Sequence, residues 1–255
     1  MLVPKVARRF ARMGSTNDAL LQAMSGGQPV SHGSVYITND QTAGRGQGAN
    51  RWFSTPGANL TFSMLVQPDL LAVDRIFALT QFASLSVTQG LASYLPELLE
   101  HDLRIKWPND LYVGNRKIGG ILIQNGLRGS RIQWSVIGVG LNVNEHHFPT
   151  DLQASATSIY QVTGKVVDKE ALLHQIFEGF REWYGRLDRK QFAKMDGAYH
   201  DHLYRYNERH HFRRMADGHT FAAVVKGVDA QGQLILTTDD GEQSAFELRS
   251  IQWLR

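Results

Sequence analysis

The sequence predicts an α+β fold in which a mixed, largely antiparallel sheet with helices precedes a compact β module. Strand-like and helix-like segments intermingle up to about residue 204, and short turns between adjacent strands indicate antiparallel pairing. From about residue 211 onward, short strands alternate with Asp-Gly and Gln-Gly turns. We therefore expect two domains, residues 1–208 and residues 209–255, and not a doubly wound parallel sheet.

The individual elements follow from local signals. The Arg-rich residues 1–13 are expected to form a first strand or lead-in rather than a transit peptide, because a helix cap follows at once. The run Ser15-Thr16-Asn17-Asp18 caps a short helix that stops at Gly26-Gly27. Further strands are predicted at 34–38, 59–66, 103–107, 110–113, 117–124 and 131–140, and further helices at 74–95, 169–187 and 191–204.

Composition limits the classes of function. The 255 residues include no cysteine, which excludes disulfides, thiolate metal sites and cysteine nucleophiles. A net charge of +3 is too small to indicate nucleic-acid binding. No apolar run approaches the roughly 18 residues that a membrane-spanning helix needs. We expect a cytoplasmic protein that binds neither nucleic acid nor membrane.

Residues 41–52, here called the glycine loop, read Gln-Thr-Ala-Gly-Arg-Gly-Gln-Gly-Ala-Asn-Arg-Trp. Alternating glycines around Arg45 expose backbone N–H groups that can wrap an anion. The spacing of Gly44, Gly46 and Gly48 differs from the dinucleotide fingerprint, and a strand rather than a helix follows. A solvated hairpin loop remains the alternative interpretation.

A second constellation joins Lys-Trp-Pro-Asn-Asp at 106–110 to Lys-Ile-Gly-Gly-Ile-Leu at 117–122. Lys106 ends one predicted strand and Asp110 begins the next. An ammonium at this junction can meet an anionic reactant, and the carboxylate can help to hold a divalent metal. Glycines 119 and 120 would admit the close approach of a ligand. The alternative is a surface ion pair that flanks the turn.

A third constellation is the run 137–144, in which Gly138 and Gly140 leave one strand face without side chains. A flat ring or an aliphatic tail could lie there, and the alternative is a sheet packed closely on a helix. Asn142 offers an amide suited to an adenine edge. The paired histidines at 146–147, 200 and 202, and 210–211 lack a third ligand at consistent spacing, so we expect exposed positions rather than metal ligation.

Five runs together, in this order and at this spacing, resemble biotin–protein ligases. They are residues 15–17, 41–52, 106–110, 117–122 and 138–144. The resemblance covers about residues 12–144 strongly and extends to the β tail. It implies a core similar to class II aminoacyl-tRNA synthetases and lipoyl ligases, followed by a small C-terminal β-barrel. It also implies two steps: biotin's carboxylate attacks the α-phosphate of Mg-ATP to give biotinyl-AMP, and a lysine of a biotin carboxyl carrier protein or domain then displaces AMP.

The resemblance further implies roles for individual residues. Lys106 would neutralise the carboxylate and the α-phosphate, and Arg45 would close the loop, so these two are the predicted catalytic residues. The predicted biotin-binding residues are Ser15, Thr16, Asn17, Gln41, Gly44, Arg45, Gly46, Gln47, Lys106 and Gly120. The predicted nucleotide-binding residues are Arg51, Trp52, Lys117 and Asn142, and Asp110 is the predicted Mg²⁺ ligand.

The chain departs from the family pattern at two places. Many members carry an Arg where Gln47 stands, so we expect weaker retention of the acyl-adenylate here. Some members carry an N-terminal DNA-binding helix-turn-helix, whereas 14 residues precede Ser15, so we expect the ligase-only form. Alternatives are a lipoate–protein ligase on the same core and a non-catalytic biotin sensor. Pairing as a homodimer stays open.

Overall fold

A seven-stranded mixed sheet forms the centre of the computed structural model, which describes residues 1–48, 50–68 and 71–254. Its strands are β1 (Lys5–Phe10), β2 (Ser34–Thr38), β3 (Leu60–Val66), β4 (Leu103–Lys106), β5 (Asp110–Val113), β6 (Arg116–Arg128) and β7 (Arg131–Leu141). The order across the sheet is β1-β2-β3-β7-β6-β5-β4. Strands β1 and β2 pair in parallel and the other neighbours pair antiparallel, as the short turns predict.

Helices cover both faces of this sheet. On one face, Phe62 of β3 packs edge-on against Phe177 and Phe180, which belong to the long helix that follows the sheet. On the other face, a smaller apolar cluster holds the first helix by Leu20. The helices are α1 (Thr16–Ser25), α2 (Phe77–Tyr94), α3 (Glu97–Glu100), α4 (Ile159–Thr163), α5 (Lys169–Asp188) and α6 (Phe192–Asp201). None of the described helices is long and apolar enough to cross a membrane.

Most predicted boundaries hold, and the exceptions have local causes. Ser15 caps α1 as predicted, because its hydroxyl accepts a hydrogen bond from the N–H of Asp18 at 3.3 Å. The strand predicted to run to Trp107 ends at Lys106, since Pro108 has no N–H for the ladder. Helix α2 begins at Phe77, after a short 3₁₀ turn. Helices α3 and α4 were not predicted.

A second, five-stranded antiparallel sheet follows, here called the C-terminal sheet (residues 209–253). Its turns fall at Asp217-Gly218, Gln231-Gly232 and Asp240-Gly241, where the sequence predicts them. The indole N–H of Trp107 donates to the carbonyl of Gly232 at 2.9 Å and ties this sheet to the larger one. The division into domains 1–208 and 209–255 stays a prediction. The strands are β8 (Arg209–Arg214), β9 (Thr220–Val228), β10 (Leu234–Thr238), β11 (Gln243–Phe246) and β12 (Ile251–Trp253), in the order β11-β10-β9-β8-β12.

Candidate active site

The floor of the candidate site is the glycine-bearing part of β7, on the sheet face that α1 covers. Ser63 of β3 lies directly opposite Gly138. A methyl group on Gly138 would lie 2.9 Å from Cγ of Asn17, and one on Gly140 would lie 2.5 Å from Cε2 of Trp52. The predicted bare strand face therefore exists, and an amide and an indole of the same chain lie against it.

The inner end of the site is a network of neutral polar groups, here called the polar network. Oε1 of Gln41 accepts from the N–H of Thr16 at 2.9 Å. Oγ of Ser63 lies 2.7 Å from the Thr16 hydroxyl and hydrogen-bonds Oδ1 of Asn17. Nδ2 of Asn17 donates to Oε1 of Gln124 at 3.0 Å. The structure thus brings Thr16, Asn17 and Gln41 together, as predicted.

The outer end carries charge. Nζ of Lys117 lies 2.6 Å from Oδ1 of Asp110 and 6.0 Å from the ring centre of Trp52. Both charged side chains are about one third exposed, at 33% and 30%. A methyl group on Gly120 would lie 3.2 Å from both Cε and Nζ of Lys117. Glycine at 120 therefore lets the lysine lie flat along β6 and reach the carboxylate.

The glycine loop is a hairpin that borders this outer end. The N–H of Gly46 donates to the carbonyl of Asn50 at 2.8 Å. The backbones of Arg45 and Arg51 form an antiparallel β-bridge across the hairpin. Nη2 of Arg45 lies 3.2 Å from Oδ2 of Asp18 in the first turn of α1. The loop is therefore a hairpin, which is the shape that the alternative interpretation predicts. Its residues also line the site.

A cavity of about 120 Å³ joins the polar network to the charged end. The indole Nε1 of Trp52 and the hydroxyl of Thr61 are buried in its walls without a hydrogen-bond partner among the described residues. Buried donors of this kind are normally satisfied, so they favour a ligand at this place. Of the predicted site residues, the cavity is lined by Ser15, Thr16, Asn17, Gln41, Arg45, Gly46, Gln47, Arg51, Trp52, Asp110, Lys117 and Gly120.

Lys106 is not among the described residues that line this cavity, and its role at the reacting centre stays a prediction. Its Nζ lies 4.7 Å from the ring centre of Tyr112, 5.6 Å from that of Tyr204 and 5.4 Å from that of Trp253. Aromatic faces attract an ammonium group within about 6 Å. The ammonium of Lys106 therefore lies among aromatic rings of β5, of the segment after α6 and of β12, whereas Lys117 lines the cavity.

Two further predicted residues lie outside the cavity lining. Nδ2 of Asn142 donates to the carbonyl of Thr157 at 3.0 Å, and its backbone N–H donates to Ile118 at 2.8 Å. This amide is buried, and its predicted contact with an adenine ring stays a prediction. Gly44 lies at the base of the hairpin, where its carbonyl accepts from the N–H of Trp52 at 3.0 Å.

The turn between β4 and β5 is supported from below by a buried phenol. The hydroxyl of Tyr199 donates to the carbonyl of Pro108 at 2.9 Å. Burial, and to a smaller extent the nearby Asp110 carboxylate, raises the pKa of Tyr199, so the phenol stays a neutral donor. This bond holds the turn from which Asp110 enters the site.

The paired histidines raise the question of a metal site. Within the described residues, no group of three or more His, Cys, Asp or Glu side chains could hold a metal ion. The first member of the 200 and 202 pair has another role. Nε2 of His200 accepts from the N–H of Val228 at 2.9 Å, and the imidazole ring stacks on Tyr206. The hydrogen bond joins α6 to the C-terminal sheet.

Residues 10–142 match the model of the biotin/lipoate A/B protein ligase family. The chain belongs to this family. The match covers the polar network, the glycine loop, both lysines and the glycine-bearing strand. Ser63 and Gln124 belong to the polar network although the sequence did not predict them. Polar residues at alternate positions of β3 mark Ser63 only as a residue on one face of that strand.

Relatives agree with this assignment, and a solved structure agrees with the fold. A biotin–[acetyl-CoA-carboxylase] ligase of Paracoccus denitrificans is 29% identical over 243 residues, 92% of this chain and 95% of that protein. The bifunctional ligase/repressor BirA of Bacillus subtilis is 28% identical over 84% of this chain, which spans 64% of that protein. The fold matches a biotin protein ligase from Aquifex aeolicus in complex with biotin and ATP, with a TM-score of 0.79, 24% identity and coverage of 98% and 99%.

Proposed function

We propose that this protein is a biotin–protein ligase, which activates biotin with Mg-ATP to biotinyl-5'-AMP and transfers biotin to a lysine of a biotin carboxyl carrier protein or domain. The observation that supports this most strongly is a single cavity with a neutral polar inner end and a cationic outer end. A ligand that fits both ends has a neutral hydrogen-bonding ring and a carboxylate, separated by an apolar chain.

The inner end suits the ureido ring of biotin, which carries two N–H donors and one carbonyl acceptor. Thr16, Asn17 and Ser63 present hydroxyl and amide groups that can both donate and accept. They are buried and already hydrogen-bonded to one another, so they are held in place before a ligand arrives. The dithiolane ring of lipoate has no such donors or acceptors and would leave these groups poorly satisfied.

The outer end suits the adenylation step. In this step the carboxylate oxygen of biotin forms a bond to the α-phosphorus of ATP, and pyrophosphate leaves with the electrons of the broken P–O bond. Lys117, which lines the cavity, would offset the charge that develops on the phosphoryl oxygens, and Lys106 stays a predicted catalytic residue beside it. Arg45 and Arg51 flank the same region on the hairpin and would meet the phosphates.

The one carboxylate among the described lining residues is that of Asp110. In nucleotide sites Mg²⁺ is commonly held by one or two carboxylates together with substrate phosphates. Asp110 fits that pattern, and Lys117 beside it would share the same phosphate oxygens. We therefore expect Asp110 to hold the Mg²⁺ that accompanies ATP.

In the second step, the neutral amine of the carrier lysine attacks the acyl carbon of biotinyl-AMP. The bond between that carbon and the phosphate oxygen breaks, AMP leaves with its electrons, and the nitrogen loses a proton to become an amide. A carrier protein is expected as the partner because the Paracoccus relative is named for acetyl-CoA carboxylase. The cytoplasm remains the expected compartment.

The test is exchange of labelled pyrophosphate into ATP without any carrier protein. We expect exchange that depends on biotin and not on lipoate. Exchange with lipoate alone would contradict the proposal in favour of a lipoate ligase. Biotin binding without any exchange would indicate a sensor that does not catalyse adenylation.

A further inference from the structure

The turn between β11 and β12, residues 247–250, reaches the glycine loop from the C-terminal sheet. The guanidinium of Arg249 lies directly against Gly48. A methyl group on Gly48 would lie 2.9 Å from Cζ of Arg249 and 3.4 Å from its Nη1. The loop can approach the arginine so closely because a residue without a side chain stands at this point, where φ is +66°.

The turn is held in a shape that directs Arg249 at the loop. Arg249 has φ of +66°, a conformation that residues with side chains rarely adopt. The N–H and the hydroxyl of Ser250 lie 3.0 Å and 2.7 Å from the carbonyl oxygen of Glu247. The N–H of Met215 donates to the carbonyl of Ser250 at 2.8 Å. The second sheet therefore maintains the unusual backbone conformation.

The charge of Arg249 is available to the loop. Across residues 1–48, 50–68 and 71–254, no carboxylate forms an ion pair with it. Its neighbour Leu248 and the loop residue Gln47 line the same cleft of about 500 Å³. Gln47 is neutral, so the cation at this side of the hairpin comes from the C-terminal sheet.

We propose that Arg249 is a positioning residue that holds the glycine loop closed over an anionic intermediate, so that the C-terminal sheet determines how long the loop stays closed. The guanidinium packs on the loop backbone, and its charge adds to that of Arg45 around a phosphate within the hairpin. The inference rests on the proposed function for the identity of the anion, and on geometry alone for the contact with Gly48.

Limited proteolysis of the full chain tests the contact without reference to activity. Trypsin cleavage after Arg45 and Arg51, followed by mass spectrometry, reports how often the hairpin opens. We expect Arg249→Ala to accelerate both cleavages about two- to fivefold, the range for exposed charged contacts. The matched control is Arg209→Ala, which removes an exposed arginine of the same sheet that pairs with Asp239 at 2.6 Å, and should leave the rates unchanged.

The second measurement is escape of biotinyl-AMP in single turnover without carrier, which we expect to be faster by a similar factor in Arg249→Ala. If biotin is not the substrate, this signal is absent for every variant, while the proteolysis still decides the contact. Unchanged cleavage in Arg249→Ala, or equal acceleration by both alanine variants, would overturn the inference. Should Arg249→Ala fail to fold, Arg249→Met keeps the aliphatic stem and must show the same acceleration.

Discussion

The two ends of the cavity are built by different means. At the inner end, Asn17 and Ser63 are 4% and 0% exposed and hydrogen-bond each other. At the outer end, the side chain of Arg45 is 62% exposed and meets a partly exposed carboxylate. Buried polar groups are costly to rearrange, whereas exposed ion pairs contribute little to stability. We therefore expect changes at the inner end to alter binding, and changes at the outer end to alter the rate or the lifetime of the intermediate.

The largest expected effect is at Lys117. Lys117→Ala should lower the rate of pyrophosphate exchange about 100- to 1,000-fold, because a charge aimed at the developing oxyanion is lost. The biotin dissociation constant, measured by calorimetry, should change far less. Equal losses of rate and affinity would reduce Lys117 to a binding role.

Lys106→Ala tests how the other lysine contributes to the rate. Its ammonium lies among Tyr112, Tyr204 and Trp253, outside the cavity lining. We expect a smaller loss of exchange rate than for Lys117→Ala and a lower melting temperature, because the contact of the ammonium with the aromatic rings is lost. A rate loss as large as that of Lys117→Ala would contradict the assignment of the two lysines.

The next largest effect is expected at the inner end. Asn17→Ala removes the partner of Ser63 and Gln124 and leaves buried polar groups unsatisfied. The biotin dissociation constant should rise about 10- to 100-fold, with the rate at saturating biotin nearly unchanged. Gln22→Ala, on the exposed face of the same helix, should leave affinity unaltered. A rate defect without an affinity defect would break the division between the two ends.

The smallest effect is expected at Gln47. Gln47→Arg adds a charge to the lining of the outer end, so escape of biotinyl-AMP without carrier should slow about two- to fivefold. Single-turnover release measures this directly. Unchanged escape would mean that other groups, Arg249 among them, already hold the intermediate.

The choice between the two lysines shows where prediction from the sequence ends. Lys106 stands directly opposite Asp110 in the β4–β5 pair, so its motif correctly places it beside the carboxylate. Two of the three rings around its ammonium, Tyr204 and Trp253, lie far along the chain and arrive only through tertiary packing. The same limit applies to the surroundings of Asn142, whose buried amide donates to the carbonyl of Thr157, 15 residues along the chain.

Local signals were sufficient for most of the elements, although not for the short helices α3 and α4. The cap at Ser15, the Asp-Gly turns and the alternation in the strands depend on neighbours in sequence. Ser63 was not predicted because its place in the site depends on the register of β3 against β7. Only that pairing shows that Ser63 lies opposite Gly138, beneath α1. Residues that make a site through cross-strand neighbours are the ones that a single sequence hides.

The bond from Trp107 to Gly232 limits how this protein can be recombined with its relatives. Gly232 has φ of +88°, and a methyl group there would lie 2.6 Å from the ring of Phe77. The turn can therefore contact the indole of Trp107 and the phenyl ring of Phe77 only because residue 232 has no side chain. A chimera that receives its last 50 or so residues from another member is expected to seat them only if the donor sequence supplies glycine at this turn.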